Sequence, residues 1–578
     1  MLEDIRSLAD LRAVPEEALP QVCAELRSQI IEACGKVGGH LGASLGAVEL
    51  IVALHRVFKS PTDAIVFDVG HQAYAHKILT GRGDRMHTLR QEGGLAPFLD
   101  PSESKYDAFG AGHACTAVSV ALGILEAKHW LNEPGRAVAV IGDGALTGGL
   151  TFEGLNHAAA SPRPLIIALN DNQMSISVNV GGVARMLRGS MAGTFFESLG
   201  FTYLGPLDGH DLRALISALV EARRSHKPIV VHAITQKGKG FAPAEEDERT
   251  RGHAMGPYEM RDGKLVRARG GKTTFSEAFA AALGERMARD DRVMVVTPAM
   301  IEGSALVDLR ARFPERVFDV GIAEQHAVAF SAGLAARGLR PVCCIYSTFL
   351  QRAYDQLIHD VCLPGLPVLF AVDRAGLVGA DGATHQGAFD LAFLRPIPPM
   401  TIMAPVGAED LGPMIDTALA GNGPAAIRFP RSTVPQMPAS FPRDHEPIRG
   451  ARWLKRSPEP RLVIVAVGPV ALSALEAAAD SPSWSVLDAR FIAPLDRPSL
   501  LEVAAAGRVL TVEEGSARGG FGSAVLELFA EEGLKLPVRC LGLPPRFVRH
   551  GDARLQRAEL DLDAAGIRRA AEQLAARP

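Results

Sequence analysis

The stretches AVAVIGDG at residues 137–144 and PLIIALNDN at residues 164–172 decide the fold of this chain. Each is an apolar run, typical of a buried parallel strand, that ends in polar residues: Asp143 in the first and Asn172 in the second. Open α/β sheets bind ligands at the carboxyl ends of their strands, so both side chains are expected at one such edge. Mg²⁺ prefers oxygen ligands and is commonly shared between a carboxylate and substrate phosphates. The pair therefore predicts a site for a metal and a diphosphate.

Two glycines flank the acid of the first motif. We expect Gly142 and Gly144 to permit positive φ and to let backbone N–H groups approach an anion. A Gly-Asp-Gly on its own is weak support, because Asp-Gly pairs are ordinary turns. The pairing with the Asn-Asp-Asn of the second motif is far more specific.

Composition indicates a large protein of several domains with no favoured polyanionic partner. The chain has 578 residues, 47% of them hydrophobic, which suggests three or four domains. With 61 basic and 65 acidic residues, neither nucleic acid nor a membrane surface is expected to bind. The seven cysteines lack metal-ligand spacing, and Cys343-Cys344 is expected in a strand core, which fits a reducing cytoplasm. No apolar segment reaches the length of a membrane span.

Apolar β-type runs alternate with alanine- and leucine-rich helical segments along the whole chain, which is typical of parallel α/β layers. The runs form three sets. A basic, glycine-containing linker at 267–272 follows the first set, and a Pro- and Arg-rich stretch at 430–452 follows the second. The predicted domains are residues 1–272, 273–446 and 447–578.

Further stretches carry a resemblance that extends along almost the whole chain. They are residues 39–40, 68–74, 109–113, 142–156, 170–177, 237–241, 323–326, 346–355, 373–390 and 513–523. Together with the paired motifs, whose spacing resembles the thiamine diphosphate signature, they make the chain similar to the 1-deoxy-D-xylulose-5-phosphate synthases, relatives of transketolase. The resemblance implies three consecutive parallel-sheet α/β domains of the transketolase type.

The resemblance also assigns cofactor residues. It implies that Glu324 hydrogen-bonds the aminopyrimidine ring of thiamine diphosphate, although a Glu at a helix N-terminus is common for electrostatic reasons alone. Ala114 and Phe241 stand where the family more often has Ser and Tyr. The implied Mg²⁺ ligands are Asp143, Asn172 and the carbonyl of Met174. The implied cofactor-binding residues are His71, Gly112, His113, Ala114, Gly144, Ala145, Asn172, Phe241 and Glu324.

Substrate residues follow from the same resemblance. Arg352 and Arg431 are expected to hold a phosphate, because guanidinium groups bind phosphate through bidentate hydrogen bonds. His40, His71 and His385 are implied as catalytic groups, and Gly39 and Gly70 suggest turns that present the first two histidines. Arg374 is expected to support the site rather than touch substrate. The implied substrate-binding residues are His40, Tyr346, Arg352, Asp381, His385 and Arg431.

The implied reaction is the decarboxylative condensation of pyruvate with D-glyceraldehyde 3-phosphate, which yields 1-deoxy-D-xylulose 5-phosphate and CO₂. This reaction feeds isoprenoid, thiamine and pyridoxal synthesis. The resemblance implies a cytoplasmic homodimer in which one chain supplies both cofactor-binding domains. Three alternatives remain: a transketolase, a pyruvate dehydrogenase component, and a thiamine diphosphate-binding protein without turnover.

One region departs from the family pattern. The segment between Asn172 and Phe241 is several tens of residues shorter than the synthases usually carry, and Gly189-Ser190 lies within it. These two permissive residues suggest an engineered joint that closes a removed loop. A naturally short loop is the alternative interpretation.

Overall fold

The computed structural model describes residues 1–261, 264–267, 271–438, 441–442, 448 and 450–577. The chain divides into two compact units. The first comprises Met1–Gly270 with Gly321–Ala323, and the second comprises Gly271–Val320 with Glu324–Pro578. Residues 268–270 of the predicted linker and the predicted boundary at 446/447 lie outside the described residues. The three predicted domain ranges therefore stay a prediction.

The first unit contains a five-stranded sheet and a two-stranded hairpin. Its strands are β1 (Ala64–Phe67), β2 (Ala137–Gly142), β3 (Ile166–Asp171), β4 (Thr202–Asp208), β5 (Ile229–Ile234), β6 (Tyr258–Arg261) and β7 (Lys264–Arg267). The sheet is parallel, in the order β1-β2-β3-β5-β4, and β6 pairs with β7 antiparallel. Because Gly142 pairs with Asn170, the residues that follow β2 and β3 meet at one edge.

Helices cover both faces of this sheet. They are α1 (Leu8–Ala13), α2 (Leu19–Val37), α3 (Leu41–Gly46), α4 (Val48–Val57), α5 (Tyr74–Lys77), α6 (Ala117–Trp130), α7 (Gly149–Ala160), α8 (Gly181–Arg188), α9 (Ala192–Leu199), α10 (Leu212–Arg224) and α11 (Ala242–Glu245). Val138 and Val140 of β2 belong to one buried cluster, whereas Ala139 and Ile141 belong to another. Burial on both faces explains why β2 is a continuous apolar run.

The second unit contains two further sheets of mostly parallel strands. Its strands are β8 (Val293–Thr297), β9 (Val317–Asp319), β10 (Arg340–Tyr346), β11 (Leu369–Asp373), β12 (Thr401–Met403), β13 (Ala425–Arg428), β14 (Arg452–Lys455), β15 (Leu462–Val467), β16 (Trp484–Asp488), β17 (Phe491–Ala493), β18 (Val509–Ser516) and β19 (Val538–Leu543). The orders are β17-β12-β13-β11-β10-β8-β9 and β14-β16-β15-β18-β19. Among the described strands of these two sheets, only β17 and β14, each at a sheet edge, pair antiparallel with a neighbour.

The helices of the second unit connect and cover these strands. They are α12 (Phe275–Met287), α13 (Val307–Arg312), α14 (Glu324–Ala336), α15 (Ser347–Leu350), α16 (Tyr354–Gln356), α17 (Asp390–Leu394), α18 (Ala408–Ala420), α19 (Val470–Ala477), α20 (Arg497–Ala504), α21 (Phe521–Glu531), α22 (Ala553–Glu559) and α23 (Ala564–Ala575). Across the described ranges, each helix is too short or too polar to cross a bilayer.

The α/β class predicted from the sequence is confirmed. The predicted strand over Val293–Thr297 matches β8 and that over Leu462–Val467 matches β15, because both are apolar runs with clear ends. Cys343 and Cys344 are buried free thiols in β10, as expected of core residues. The glycine-rich stretch after β18 is structural, since the Glu513 carboxylate accepts N–H bonds from Phe521 and Gly522 at the start of α21.

A buried arginine joins the two sheets of the second unit. Arg452 in β14 donates two hydrogen bonds to Asp410 of α18, at 2.9 and 3.0 Å, and one to Asp488 of β16, at 2.8 Å. Burial raises the pKa of Asp488 to about 7 even with this guanidinium beside it. Without Arg452, the buried Asp410 and Asp488 carboxylates would lose the guanidinium group that binds both of them.

We therefore expect Arg452→Met to lower the free energy of unfolding by about 3–5 kcal/mol, because one partner of a buried ion pair is removed. The measurement is urea unfolding followed by circular dichroism. Arg456→Met is the matched control, because Arg456 is exposed and pairs with exposed Glu502, and exposed pairs contribute about 0–1 kcal/mol. Equal urea midpoints for the two variants would contradict a stabilising role of Arg452.

Candidate active site

The Asp143 carboxylate is buried at the carboxyl end of β2. Its Oδ2 atom accepts a hydrogen bond from the Asn179 amide at 2.8 Å, whereas its Oδ1 atom is buried without a hydrogen-bond partner in the described part of the chain. Burial raises the pKa of Asp143 well above its usual value, and the neighbouring Asp171 carboxylate raises it further. A buried acceptor oxygen beside a second carboxylate favours a cation as its partner.

The turn after β3 presents oxygen atoms at the same edge. The Asn172 side-chain oxygen accepts the Met174 N–H at 3.1 Å, and the Gln173 carbonyl accepts the Asn179 N–H at 3.0 Å. Within the described ranges no hydrogen bond reaches the Met174 carbonyl. Asp143, Asn172 and Met174 thus form a set of oxygen donors that fits Mg²⁺, which accepts carboxylate, amide and backbone oxygens.

The expected role of the flanking glycines is wrong in one respect. Gly142 and Gly144 do not have positive φ, and the φ of Gly144 is −63°. A Cβ atom at Gly144 would lie 2.9 Å from the Cβ atom of Ser175 and 3.2 Å from the Asn179 side-chain oxygen. Gly144 is therefore needed for close packing against the turn after β3, not for an unusual backbone conformation.

A hydrogen-bonded chain across three strands holds Asp171. His232 of β5 lies 3.0 Å from the Asp171 Oδ2 atom, and the Tyr203 hydroxyl of β4 lies 2.7 Å from the other ring nitrogen of His232. The Asp171 Oδ1 atom accepts the Gln173 N–H at 3.1 Å. With Asp171 accepting from His232 Nε2, the Tyr203 hydroxyl donates to Nδ1. This chain fixes the carboxylate beside Asp143.

Three histidine rings meet in the first unit. The His40 and His71 ring centroids are 5.9 Å apart, and His253 lies 5.7 Å from His40 and 5.4 Å from His71. Phe98 packs 5.3 Å from His40. Sequence reasoning placed His40 and His71 in the site and missed His253, which lies far from both along the chain.

Gly39 and Gly70 have φ angles of 149° and 78°, which favour glycine. Gly70 lies in a bend, as expected, whereas Gly39 forms an isolated antiparallel bridge with Met255 instead of a turn. Burial and, to a smaller extent, the charge of Lys237 together lower the pKa of His71 to about 3. His71 is therefore neutral at physiological pH, so one ring nitrogen remains an acceptor.

Lys237 connects this region to the metal motif. Its ammonium group is buried and donates to the carbonyls of Ser175 at 2.6 Å and Ile176 at 3.2 Å, in the turn after β3. Lys237 and Asn179 were not assigned to the site from sequence. Lys237 lies in one of the matched stretches, at residues 237–241, and this was the only signal that could have identified it.

The predicted cofactor residues Gly112, His113 and Ala114 lie in a turn before α6. Asp68 holds this turn, since its carboxylate accepts the Cys115 N–H at 2.7 Å and the Ala117 N–H at 3.0 Å. Gly112 has a φ of 149°.

Two predicted cofactor residues have established neighbours in the first unit. The Ala145 carbonyl accepts a hydrogen bond from the Cys115 thiol at 3.4 Å, so Ala145 adjoins this turn. The Phe241 ring is buried and packs 5.7 Å from Tyr258. Its stacking against a cofactor stays a prediction.

Glu324 is the first residue of α14 in the second unit and is buried. Burial raises the pKa of Glu324, whereas the Arg352 guanidinium, 3.6 Å from its Oε2 atom, acts in the opposite direction. A carboxyl group with a raised pKa is suited to hold or share a proton near neutral pH. The structure thus pairs Glu324 with a residue predicted to bind phosphate.

Aromatic rings line up at the end of β10. Tyr346 stacks on Phe349 with centroids 5.4 Å apart, and Phe349 meets the His385 ring edge-on at 5.6 Å. The Arg374 guanidinium lies 3.8 Å above the Tyr346 ring and donates to Asp373 at 2.8 Å. Burial raises the pKa of Tyr346 to about 12, so its hydroxyl stays protonated.

Asp381 and His385 lie in a loop that closes on itself. Gly376 and Gly387 exchange two backbone hydrogen bonds, of 2.8 and 2.7 Å, so residues 376–387 form a closed loop, here called the acceptor loop. Asp381 forms an ion pair with Arg431, and both charges act on the Tyr346 hydroxyl. The structure therefore brings Tyr346, Asp381, His385 and Arg431 together.

Comparison with known proteins agrees with this geometry. The family model "1-deoxy-D-xylulose-5-phosphate synthase" matches residues 2–194 and 186–235, "Transketolase, pyrimidine binding domain" matches 271–437, and "Transketolase, C-terminal domain" matches 451–567. A 1-deoxy-D-xylulose-5-phosphate synthase of Myxococcus xanthus is 67% identical over 570 residues, with 99% of this chain and 98% of the relative covered. The chain belongs to the 1-deoxy-D-xylulose-5-phosphate synthase family. The predicted family, enzyme class and transketolase-type fold are confirmed.

Other members of the synthase family are longer. A synthase of Anaeromyxobacter sp. is 50% identical over 620 residues, covering 99% of this chain and 97% of the relative. Among solved structures, a transketolase from Leishmania mexicana is 18% identical with a TM-score of 0.47, covering 100% of this chain and 97% of that chain. The curated synthases and the synthase family model do not favour the transketolase alternative.

The comparisons change the interpretation of the short segment. The family model matches in two pieces that overlap at residues 186–194, around Gly189-Ser190, as expected where part of the family pattern is missing. The Myxococcus xanthus synthase, however, aligns over nearly the full length of both chains in 570 residues. A relative of the same length favours a naturally short segment over the engineered joint.

The neutral, partly buried His71 predicts a loss of stability in acid. The pKa of His71 is lower in the folded protein, at about 3, than the usual 6.5, so its contribution is fully present above pH 6.5 and falls as the pH drops. We expect the loss between pH 7 and pH 5 to be smaller in His71→Gln by about 2 kcal/mol. The measurement is urea unfolding of the cofactor-free protein at both pH values.

His226→Gln is the matched control, because His226 is exposed in the same unit. The same pH dependence in the wild type and His71→Gln would contradict a neutral, partly buried His71.

Proposed function

We propose that this chain condenses pyruvate with D-glyceraldehyde 3-phosphate to 1-deoxy-D-xylulose 5-phosphate and CO₂, with thiamine diphosphate and Mg²⁺ as cofactors. The 67% identity to a curated synthase over the whole chain supports this activity. The single structural observation that carries the cofactor assignment is the buried Asp143 Oδ1 atom, which has no hydrogen-bond partner in the described residues.

We assign the metal to Asp143, Asn172 and the Met174 carbonyl, and the diphosphate to the backbone around Gly144 and Ala145. The chemistry of these donors supports Mg²⁺, since all are hard oxygens and the carboxylate lacks a cation of its own. When bound, thiamine diphosphate supplies the carbon that takes up pyruvate and the ring that accepts the electrons left as CO₂ departs.

We assign Glu324 to the aminopyrimidine ring of the cofactor. Its burial and raised pKa support the sharing of a proton with a ring nitrogen. His40 and His71 are proposed to move protons at substrate oxygens, and His253, which contacts both rings, is proposed as a third member. A neutral His71 is able to accept a proton at one nitrogen and donate from the other.

The acceptor aldehyde is proposed to bind in the second unit. Its phosphate would take the place of Asp381 on Arg431 and add Arg352, because guanidinium groups bind phosphate through two parallel hydrogen bonds. His385, held in the acceptor loop, is proposed to donate to the aldehyde oxygen as the new carbon bond forms. Tyr346 remains protonated and offers a hydroxyl donor beside it. Arg374 is proposed to support Tyr346 rather than touch substrate.

We also propose that the chain forms a homodimer in the cytoplasm. Large apolar side chains such as Leu363, Phe547 and Trp130 are more than 70% exposed in the single chain, and burial of such residues stabilises subunit contacts. The seven free cysteines fit a reducing compartment. Sedimentation equilibrium should give twice the mass of one chain.

The decisive assay supplies both cofactors, pyruvate and D-glyceraldehyde 3-phosphate, and measures CO₂ and deoxyxylulose phosphate with and without the aldehyde. The proposed function requires both products in equal amounts. Transfer of a ketol unit from a sugar phosphate without release of CO₂ would instead indicate a transketolase.

Glu324→Gln tests the central proton-sharing group. We expect kcat to fall by about 10²–10⁴-fold with the cofactor still bound. The Gln amide keeps a hydrogen bond to the cofactor ring, but it cannot give up and take back a proton as a carboxyl group does. Cofactor binding is followed separately by quenching of tryptophan fluorescence. Glu285→Gln is the control, because Glu285 is exposed at the end of α12. Wild-type turnover in Glu324→Gln would remove Glu324 from the proposed mechanism.

Asp143→Asn tests the metal assignment without relying on turnover. We expect the Mg²⁺ concentration needed for half-maximal cofactor binding to rise at least about tenfold, because a charged oxygen ligand is lost. Isothermal titration of thiamine diphosphate at several Mg²⁺ concentrations measures this shift. Asp84→Asn, at an exposed turn of the same unit, should leave the titration unchanged. An unchanged titration in Asp143→Asn would place the metal elsewhere.

A further inference from the structure

The second unit contains a cavity that is lined by none of the residues assigned above to the cofactor or the substrates. It has a volume of about 210 Å³ and lies where β13 and β15 end, with residues of β18, α19 and α22 completing its walls. Its polar lining consists of Arg428, Ser432, Thr433, Ser473, Glu514 and Arg557. The cavity therefore combines two guanidinium groups, three hydroxyls and one carboxylate.

Arg428 is buried, but not all of its hydrogen-bond donors have an acceptor among the described residues. Its Nε and Nη2 atoms donate to the Asp390 carboxylate at 2.9 and 3.2 Å, and Nη2 also donates to the Glu514 carbonyl at 3.0 Å. The Nη1 atom takes part in no hydrogen bond within the described part of the chain, although the side chain is 95% buried. The Nε/Nη2 edge of this guanidinium group thus binds protein acceptors, whereas the N–H groups of Nη1 have no acceptor among the described residues.

Arg557 repeats the arrangement from the opposite wall. It holds the Glu514 carboxylate through Nε at 2.7 Å and Nη2 at 3.1 Å, which leaves Nη1 without a partner in the described ranges. The hydroxyls of Ser432, Thr433 and Ser473 likewise make no hydrogen bond to a described residue. The cavity wall therefore offers two guanidinium Nη1 groups and three hydroxyls as donors that no described acceptor occupies.

We propose that this cavity binds a small oxyanion of the size of phosphate. Spare guanidinium edges and hydroxyls favour a ligand that is rich in acceptor oxygens and negatively charged. The volume is below the roughly 300–1,000 Å³ typical of sites for larger organic ligands, so a compact anion fits best. The two carboxylates are already held on the other edges of Arg428 and Arg557, so they compensate these charges without occupying the spare donors.

The site is connected to the acceptor loop through one side chain. The Glu514 Oε1 atom, held by Arg557, also accepts the Leu377 N–H at 2.8 Å, and Leu377 follows Gly376 at the base of that loop. An anion in the cavity would share Arg557 with the carboxylate that fixes this end of the loop. The proposed anion site therefore borders the loop that carries Asp381 and His385 without being part of the catalytic centre.

Inorganic phosphate is the probe, and binding is measured on the full chain with thiamine diphosphate and Mg²⁺ present. Isothermal titration and ³¹P line broadening report binding without turnover, so failure of the proposed reaction does not affect the result. We expect Arg557→Gln and Ser473→Leu to weaken one phosphate-binding event at least about tenfold, the first by removing a charged donor and the second by filling the cavity.

Two controls separate this cavity from other phosphate sites. Arg554→Gln changes an exposed arginine of α22 and should keep the event, as should Arg431→Gln in the acceptor site. Loss of the event in Arg431→Gln alone, or equal phosphate binding by the wild type, Arg557→Gln and Ser473→Leu, would overturn the proposal. Ser473→Leu leaves both ion pairs in place, so thermal unfolding of the two variants distinguishes lost binding from lost folding.

Discussion

The burial of Asp143 beside Asp171 is the constraint on which the first unit depends. The pairing of β2 with β3 places both carboxylates at one sheet edge, and two buried negative charges destabilise each other unless positive partners compensate them. Asp171 receives its donors from the protein, through Gln173 and His232. The Asp143 Oδ2 atom accepts a hydrogen bond from Asn179, whereas its Oδ1 atom is buried without a hydrogen-bond partner in the described residues. The apolar strands thus hold a buried carboxylate whose charge is only partly compensated by the described residues. Its burial lowers the stability of the fold, whereas cofactor binding requires it.

In the second unit, the charges that need compensation are positive. Three arginines near its site are each held by a carboxylate of the same unit: Arg374 by Asp373, Arg352 by Glu324 and Arg431 by Asp381. Such pairs keep the guanidinium groups ordered while no phosphate is bound. An incoming phosphate exchanges one negative partner for another, so the charge of the site changes little. The same principle applies to Arg428 and Arg557, which hold Asp390 and Glu514.

The sequence was sufficient to predict the parts of this fold in which local pattern and burial agree. Strands buried on both faces, such as β2, β8 and β15, are apolar runs with polar ends, and their positions follow directly. β4 was missed because its side chains are largely exposed and a Gly-Pro pair interrupts it. His253 and Asn179 were missed for another reason: their roles depend on contacts with residues distant in the chain. The need for glycine at position 144 was explained incorrectly, because close packing and positive φ favour the same residue type.

The two hydrogen bonds between Gly376 and Gly387 close the acceptor loop at its base. Because the loop is closed at its base, its length and tip can change without altering the direction of β11 or the position of Tyr346. Asp381 and His385 are carried by the same closed loop, so we expect their energetic effects to be coupled rather than additive. A change in the acceptor substrate is therefore accommodated most easily by exchange of the whole acceptor loop. A single substitution inside the loop would disturb Asp381 and His385 at once.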